Sequence, residues 1–124
     1  SICRGVPIDP ALPGGGGLDT IVLTGPTSVV AGSQATWSFS AAPANASFWF
    51  LNGASANGTN YQGHIFDVGA PVTVLATGSA SGTGSGSVLL TIPAAASGQT
   101  GFFEVAALAA GLWYDSNLLI VSVQ

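Results

Sequence analysis

A chain of 124 residues with no Lys, one Arg and a formal charge of −4 has almost nothing with which to neutralise a phosphate backbone, which argues against nucleic-acid binding. Charged residues make up 5% of the sequence, against roughly a quarter in ordinary soluble domains, while 48% is apolar and the mean hydropathy is +0.56. No apolar run approaches the ~18 residues a membrane helix needs, so the chain is not expected to span a bilayer.

The length suits one domain. A surface poor in charge and rich in Gly, Ala, Ser and Thr is weakly protected against association. Such a surface is tolerable where association is the function or where glycans cover it. Apolar, β-branched strands argue against disorder despite the Gly and Pro content. Cys3 is the only cysteine, so neither an intrachain disulfide nor a thiolate zinc site is available. In a secreted chain it is a candidate for an intermolecular disulfide, with a plain unpaired thiol as the alternative. The first residues lack the basic region and apolar core of a signal peptide, as expected of a mature secreted chain or an excised domain.

Residues 1–17 read as a separate arm. Pro7, Pro10 and Pro13 favour an extended chain, and Gly14 to Gly17 form a flexible tether. Ile2, Arg4, Val6 and Ile8 share one parity, so one side of an extended arm is mostly apolar. A disordered tail is the alternative.

The body spans residues 18–124. A strand at Thr20 to Thr24 is followed by the Gly25-Pro26 break. Ala35 to Ser40 alternates cleanly, with Ala35, Trp37 and Phe39 on one face and Thr36, Ser38 and Ser40 on the other. The continuous apolar run Ser47 to Leu51 suits the centre of a sandwich, and Asn52 to Asn60 is rich in turn residues. Gly63 to Gly69 and Pro71 to Thr77 are two further strands, and Gly78 to Ser87 reads as a mobile hairpin loop. Val88 to Ile92, Gly101 to Leu108 and Asn117 to Val123 complete the set. A corner at residues 93–99 and an aromatic loop, Gly111 to Ser116, separate these last three. About seven short strands with no helical periodicity predict a single all-β antiparallel sandwich.

At this point the chain resembles bacterial immunoglobulin-like or fibronectin type III-like secreted modules. The stretch from Gly25 to Phe39, GPTSVVAGSQATWSF, is similar to the first two strands of such domains. QTGFFEV (Gln99 to Val105) resembles the immunoglobulin corner D-x-A-x-Y-x-C. Phe103 stands at the tyrosine's place and Val105 at the cysteine's, with Gln99 for the Asp and Gly101 for the Ala. Ile92 to Ala106 and Ser116 to Val123 also resemble the closing strands of many secreted bacterial β-domains, with Glu104 where a Gln would sit. The resemblance implies an immunoglobulin-like fold and carries no activity with it.

The chemistry is sparse. His64, the only imidazole, has Asp67 three residues later but no nucleophile elbow or acid pair, and is expected to be a strand-edge histidine. No enzyme activity and no cofactor are expected. Asp9, Asp19, Asp67, Glu104 and Asp115 stand singly, without the spacing of an oxygen cage, so no metal site is expected. A calcium ion bridging loops is the exception that distant ligands permit. Trp113, Tyr114 and Asp115 form a candidate sugar site, since rings stack on sugars and an acid accepts hydroxyls; a cap on the open end of the core is the alternative for Trp113. Asn45 and Asn57 match the glycosylation pattern.

Parity carries the functional expectation. If Phe103, Val105 and Ala107 face the core, Phe102, Glu104, Ala106 and Leu108 face outward, and Leu118 and Ile120 do the same on the last strand. An apolar outer face in a weakly charged chain implies a cover, supplied either by the arm or by a neighbour. The sequence therefore predicts a non-catalytic extracellular or cell-surface subunit that assembles with copies of itself into a filament or array. The arm (Ile2, Val6, Ile8) would dock on an open edge or on the face of Phe102, Leu108, Leu118 and Ile120, with Cys3 locking the joint. An adhesion or carbohydrate-binding module of a larger secreted protein is the alternative.

Overall fold

The computed structural model describes residues 19–61 and 64–124. The arm, with Ile2, Cys3, Val6 and Ile8, lies outside the described residues. Among the described residues eleven strands run in chain order: β1 (Asp19–Thr24), β2 (Ser28–Val29), β3 (Gln34–Ser40), β4 (Ser47–Gly53), β5 (Thr59–Tyr61), β6 (His64–Phe66), β7 (Thr73–Ser79), β8 (Gly86–Thr91), β9 (Thr100–Ala109), β10 (Leu112–Ser116) and β11 (Leu119–Val123). The only helical piece among the described residues is a 3-10 turn, Ala94–Ala96.

The strands form an all-β sandwich. One sheet runs β2-β11-β9-β4-β7, with β10 continuing beside the second half of β9; the other runs β1-β3-β8. Strand β1 belongs to both. Asp19 and Ile21 pair in parallel with Asp115 and Ser116 of β10, whereas Val22 to Thr24 pair with Ser38 to Ser40 of β3. This hand-over joins the two sheets along one side. The count exceeds seven because β2 forms beyond the Gly25-Pro26 break, β5 at the end of the turn-rich run pairs with β6, and β10 stands where the sequence predicts the aromatic loop.

Between the sheets lies the main core. Trp37 and Phe39 of β3 meet Phe48 and Phe50 of β4 and Phe103, Val105 and Ala107 of β9, all buried. The Trp37 ring lies 5.0 Å edge-on from Phe103 and its indole N–H donates to the Pro26 carbonyl at 3.0 Å, so the one polar atom of the ring is satisfied. Gly25 makes this seat possible. Its φ is +151°, and a β-carbon there would sit 2.4 Å from the Trp37 ring. The alternation read in β3 is therefore the core face of that strand.

Two expectations are corrected here. The stretch 78–87 is not a hairpin loop: β7 pairs with β4 and β8 with β3, so residues 80–85 cross between sheets. That crossing is pinned by hydrogen bonds. The Ser81 hydroxyl accepts the N–H of Thr83 and of Ser85, and Ala42 N–H donates to the Gly84 carbonyl at 3.0 Å. Nor is 111–116 a loop. Ala110 and Gly111, with φ of 52° and 78°, make the two-residue turn alone, and Leu112 to Asp115 pair antiparallel with Ala109 to Ala106.

Strand β11 then continues on the same side of β9, with Leu119 opposite Phe103. At the break between β10 and β11, the Asn117 side chain stands in for a strand. Its carbonyl oxygen accepts the Leu23 N–H at 2.8 Å and its amide donates to the Leu23 carbonyl at 3.1 Å. The ladder is thus kept satisfied where the backbone turns away.

Candidate functional site

The outer face of the larger sheet carries a second layer. Residues after β4 return as the β5–β6 hairpin and the segment 67–72, and lie over β4, β9 and β10. Leu51, Phe66, Val68 and Ala106 are buried there, with Trp49, Val72, Phe102, Trp113 and Leu118 packed around them. Alternation explains the placement. On β4, Phe48 and Phe50 point to the main core, so Trp49 and Leu51 point outward; on β9, Phe103 and Val105 leave Phe102 and Ala106 outward. A strand with large apolar residues at both parities has both faces covered.

Backbone bonds tie this layer down. Ala54 N–H donates to the Gly69 carbonyl at 2.9 Å and Gly69 N–H to the Ser55 carbonyl at 2.8 Å, while the Thr59 hydroxyl donates to the Val68 carbonyl at 2.7 Å. Gly53 permits the close approach, since a β-carbon there would lie 2.6 Å from Val68 Cβ.

Between hairpin and sheet runs a cleft of about 390 Å³, lined by Trp49, Leu51, Thr59, Tyr61, Phe66, Val68, Val72, Val74, Ala106 and Trp113. Trp113 is its hub. Its ring lies 5.3 Å from Trp49, 5.7 Å from Phe66 and 5.8 Å from Tyr61, at interplanar angles of 51°, 85° and 78°. Tyr61 and Val74 remain 52% and 50% exposed, so the cleft opens to solvent. Its walls are almost wholly apolar, which suits an apolar or proline-containing segment better than a sugar.

Beside this layer four ionisable side chains meet, of which His64, Glu104 and Asp115 are buried and Asp67 is half-buried. Carboxylate oxygens of Asp67, Glu104 and Asp115 all lie within 4.8 Å of one another, and Glu104 and Asp115 are each 0% exposed. One Glu104 oxygen, Oε1, accepts the backbone N–H of Asp67 at 2.9 Å and of Val68 at 3.2 Å. His64, stacked 4.4 Å from Phe66, brings Nε2 to 3.5 Å from Asp115 Oδ2. Burial pushes the Glu104 carboxyl well above the usual carboxylate range. The charge of Asp115, a proton shared with it and the charge of Asp67 add to the rise, and the Val68 N–H opposes it. Chemically, the arrangement holds a proton or a cation.

The residues singled out in the sequence scatter. Trp113 lines the cleft, Tyr114 packs toward the main core on the opposite face of β10, and Asp115 shares the face of Trp113 but is buried, so the three do not form one exposed sugar-binding surface. Phe102 and Leu118 are half-buried in the outer cluster and Leu108 is half-buried, whereas Ile120 is 53% exposed. Much of the face that needed a cover receives it from residues 59–61 and 64–72 of the same chain. His64 is not a strand-edge residue open to water but is buried against Asp115. Three acids that stand singly in the sequence converge. Asn45 and Asn57 are exposed. Asp67, Glu104, Trp49 and Phe66 were missed as site residues. The available signals were an acid inside the apolar run FFEVAAL and aromatic residues at both parities of SFWFL.

No protein-family model matches the chain, and no curated protein matches it. Among solved structures it is similar to the sulfur carrier protein SoxY from Chlorobium limicola f thiosulfatophilum, at 14% identity and a TM-score of 0.53 over 85% of this chain and 79% of that one. It is also similar to a chain in a structure on the basis of T cell specificity and activation by the bacterial superantigen toxic shock syndrome toxin-1, at 14% identity and a TM-score of 0.51 over 84% of this chain and 98% of that one. Likeness at this level concerns the fold alone: this is an all-β chain among other β-rich domains, and no helix of the described residues is long and apolar enough to cross a membrane.

Proposed function

We propose that the chain is a non-catalytic extracellular structural subunit that associates with copies of itself, the N-terminal arm of one copy seating in the aromatic cleft of the next. The observation that carries this reading is where the chain comes into the sandwich. Asp19, the first described residue, pairs with Asp115, two residues along β10 from Trp113 of the cleft. The arm has Pro7, Pro10 and Pro13 and the apolar Ile2, Val6, Ile8 and Leu12. Aromatic-lined grooves take proline-rich extended segments because little ordering entropy is lost on binding. Seventeen extended residues reach up to ~60 Å, enough to leave one body for another. Contacts of this head-to-tail kind do not close on themselves and build filaments.

We read the sandwich as immunoglobulin-like. A central β9–β4 pair, a three-stranded sheet opposite and a first strand shared between the sheets support that reading. The scarcity of charge supports a surface role. Removing residues 1–17 tests the mechanism. The full chain should elute as polymers in size-exclusion chromatography and show fibres by negative stain, and the truncated chain should elute as a monomer. A full chain that stays monomeric at high concentration, or a truncated chain that still polymerises, sinks the proposal.

A further inference from the structure

We propose that Asp67, Glu104 and Asp115 bind a divalent cation of the hard, oxygen-preferring kind, calcium first. This is independent of the arm. The three carboxylates come from the segment after β6, from β9 and from β10, and each offers an oxygen within 4.8 Å of the others. Oxygens on opposite sides of a calcium ion are about 5 Å apart, given bonds of roughly 2.3–2.6 Å.

A second observation points the same way. Glu104 Oε2 and both Asp115 oxygens are fully buried on side chains that are 0% exposed, and no backbone N–H or hydroxyl donates to them. Buried charges in proteins are paired or coordinate a metal. The sequence has no Lys, and Arg4, its only Arg, lies outside the described residues. His64 approaches Asp115 from one side only, at 3.5 Å.

Glu104 is already oriented for a metal. Its Oε1 is held by two backbone N–H groups, which fixes Oε2 as the free oxygen beside Asp115. An all-carboxylate set selects calcium, magnesium or manganese over the softer metals, and the irregular spacing favours calcium's flexible coordination. Water or carbonyl oxygens complete the shell. Because Val68 lines the cleft and Asp67 precedes it, the ion fastens the cleft's covering layer to the sheet.

The test is a calcium titration of the full chain after chelation and dialysis, followed by calorimetry and thermal unfolding. One ion per chain is expected, with Tm rising by about 5–10 °C at a hundredfold excess over Kd. Glu104→Gln and Asp115→Asn should match the wild-type circular dichroism in chelator and lose the calcium response. An unresponsive wild type shows that protons alone satisfy the cluster and overturns the assignment. An unchanged response in both variants places the ion elsewhere and overturns it equally.

Discussion

Glu104 and Val68, 36 positions apart in sequence, are joined by a hydrogen bond of 3.2 Å from the Val68 N–H to a carboxyl oxygen that also takes the Asp67 N–H. The outer layer thus hangs from one side chain of β9. Replacing Glu104 by Leu leaves two sheltered N–H groups without an acceptor, and should cost about 2–4 kcal/mol. Glu104→Gln keeps an acceptor and should cost little. Denaturant unfolding gives the magnitudes. Hydrogen exchange should show the Leu variant losing protection first at residues 64–68.

The same carboxyl sets a pH dependence in chelator. Its folded-state pKa lies above the ordinary range because burial, Asp115 and Asp67 disfavour the anion, with His64 the remaining ionisable group of the cluster. Through that interval the folded state holds a proton that the unfolded chain has lost, so stability falls as pH rises. The contribution is complete below about pH 4 and is lost as pH climbs through the folded-state pKa, at up to ~1.4 kcal/mol per pH unit. Urea midpoints measured across pH 4 to 8 should show this fall in the wild type and a flatter profile in Glu104→Gln. A wild-type midpoint that rises over that span contradicts the assignment.

Gly25 is a packing residue as much as a turn residue. With φ at +151° and the Trp37 ring 2.4 Å from where a β-carbon would stand, Gly25→Ala must displace the central indole or the Pro26 carbonyl that it bonds. A loss of about 2–4 kcal/mol is expected, with weakened near-ultraviolet dichroism from Trp37. A neutral substitution would show that the ring seat is loose.

Trp113→Ala separates assembly from folding. Trp113 is half-buried in the outer layer, so its removal should cost less than the ~3–5 kcal/mol of a fully buried ring. It removes the hub of the cleft, where it meets Trp49, Phe66 and Tyr61. The variant should fold and fail to polymerise. If it assembles like the wild type, the arm docks elsewhere.

The fold was legible because its strands carry strong local patterns. The β3 alternation and the apolar run of β4 each specify a strand and its buried face without knowledge of the partner strand. The segment LWYDS was misread because Asp115 and Ser116 are turn-prone in isolation. Pairing with β9 overrides that preference, and the turn contracts to Ala110 and Gly111. The carboxylate cluster was not legible at all. Asp67 lies 37 positions from Glu104, and only the return of residues 59–61 and 64–72 over the sheet brings them together. Parity placed Glu104 and Phe102 on the outer face, but parity alone does not say which segment covers that face.

Because β1 stitches the two sheets along one side, the sandwich has a closed flank and an open one. On the open side, β7 and β8 each have a single hydrogen-bonded neighbour among the described residues, and neither TVLATGS nor GSVLLT contains a charge or a proline. Natural edge strands usually carry such residues to repel unwanted partners. Any backbone that extends this sandwich by strand pairing, whether a sister subunit or the seed of an aggregate, therefore finds its longest unguarded docking line on one side of the molecule.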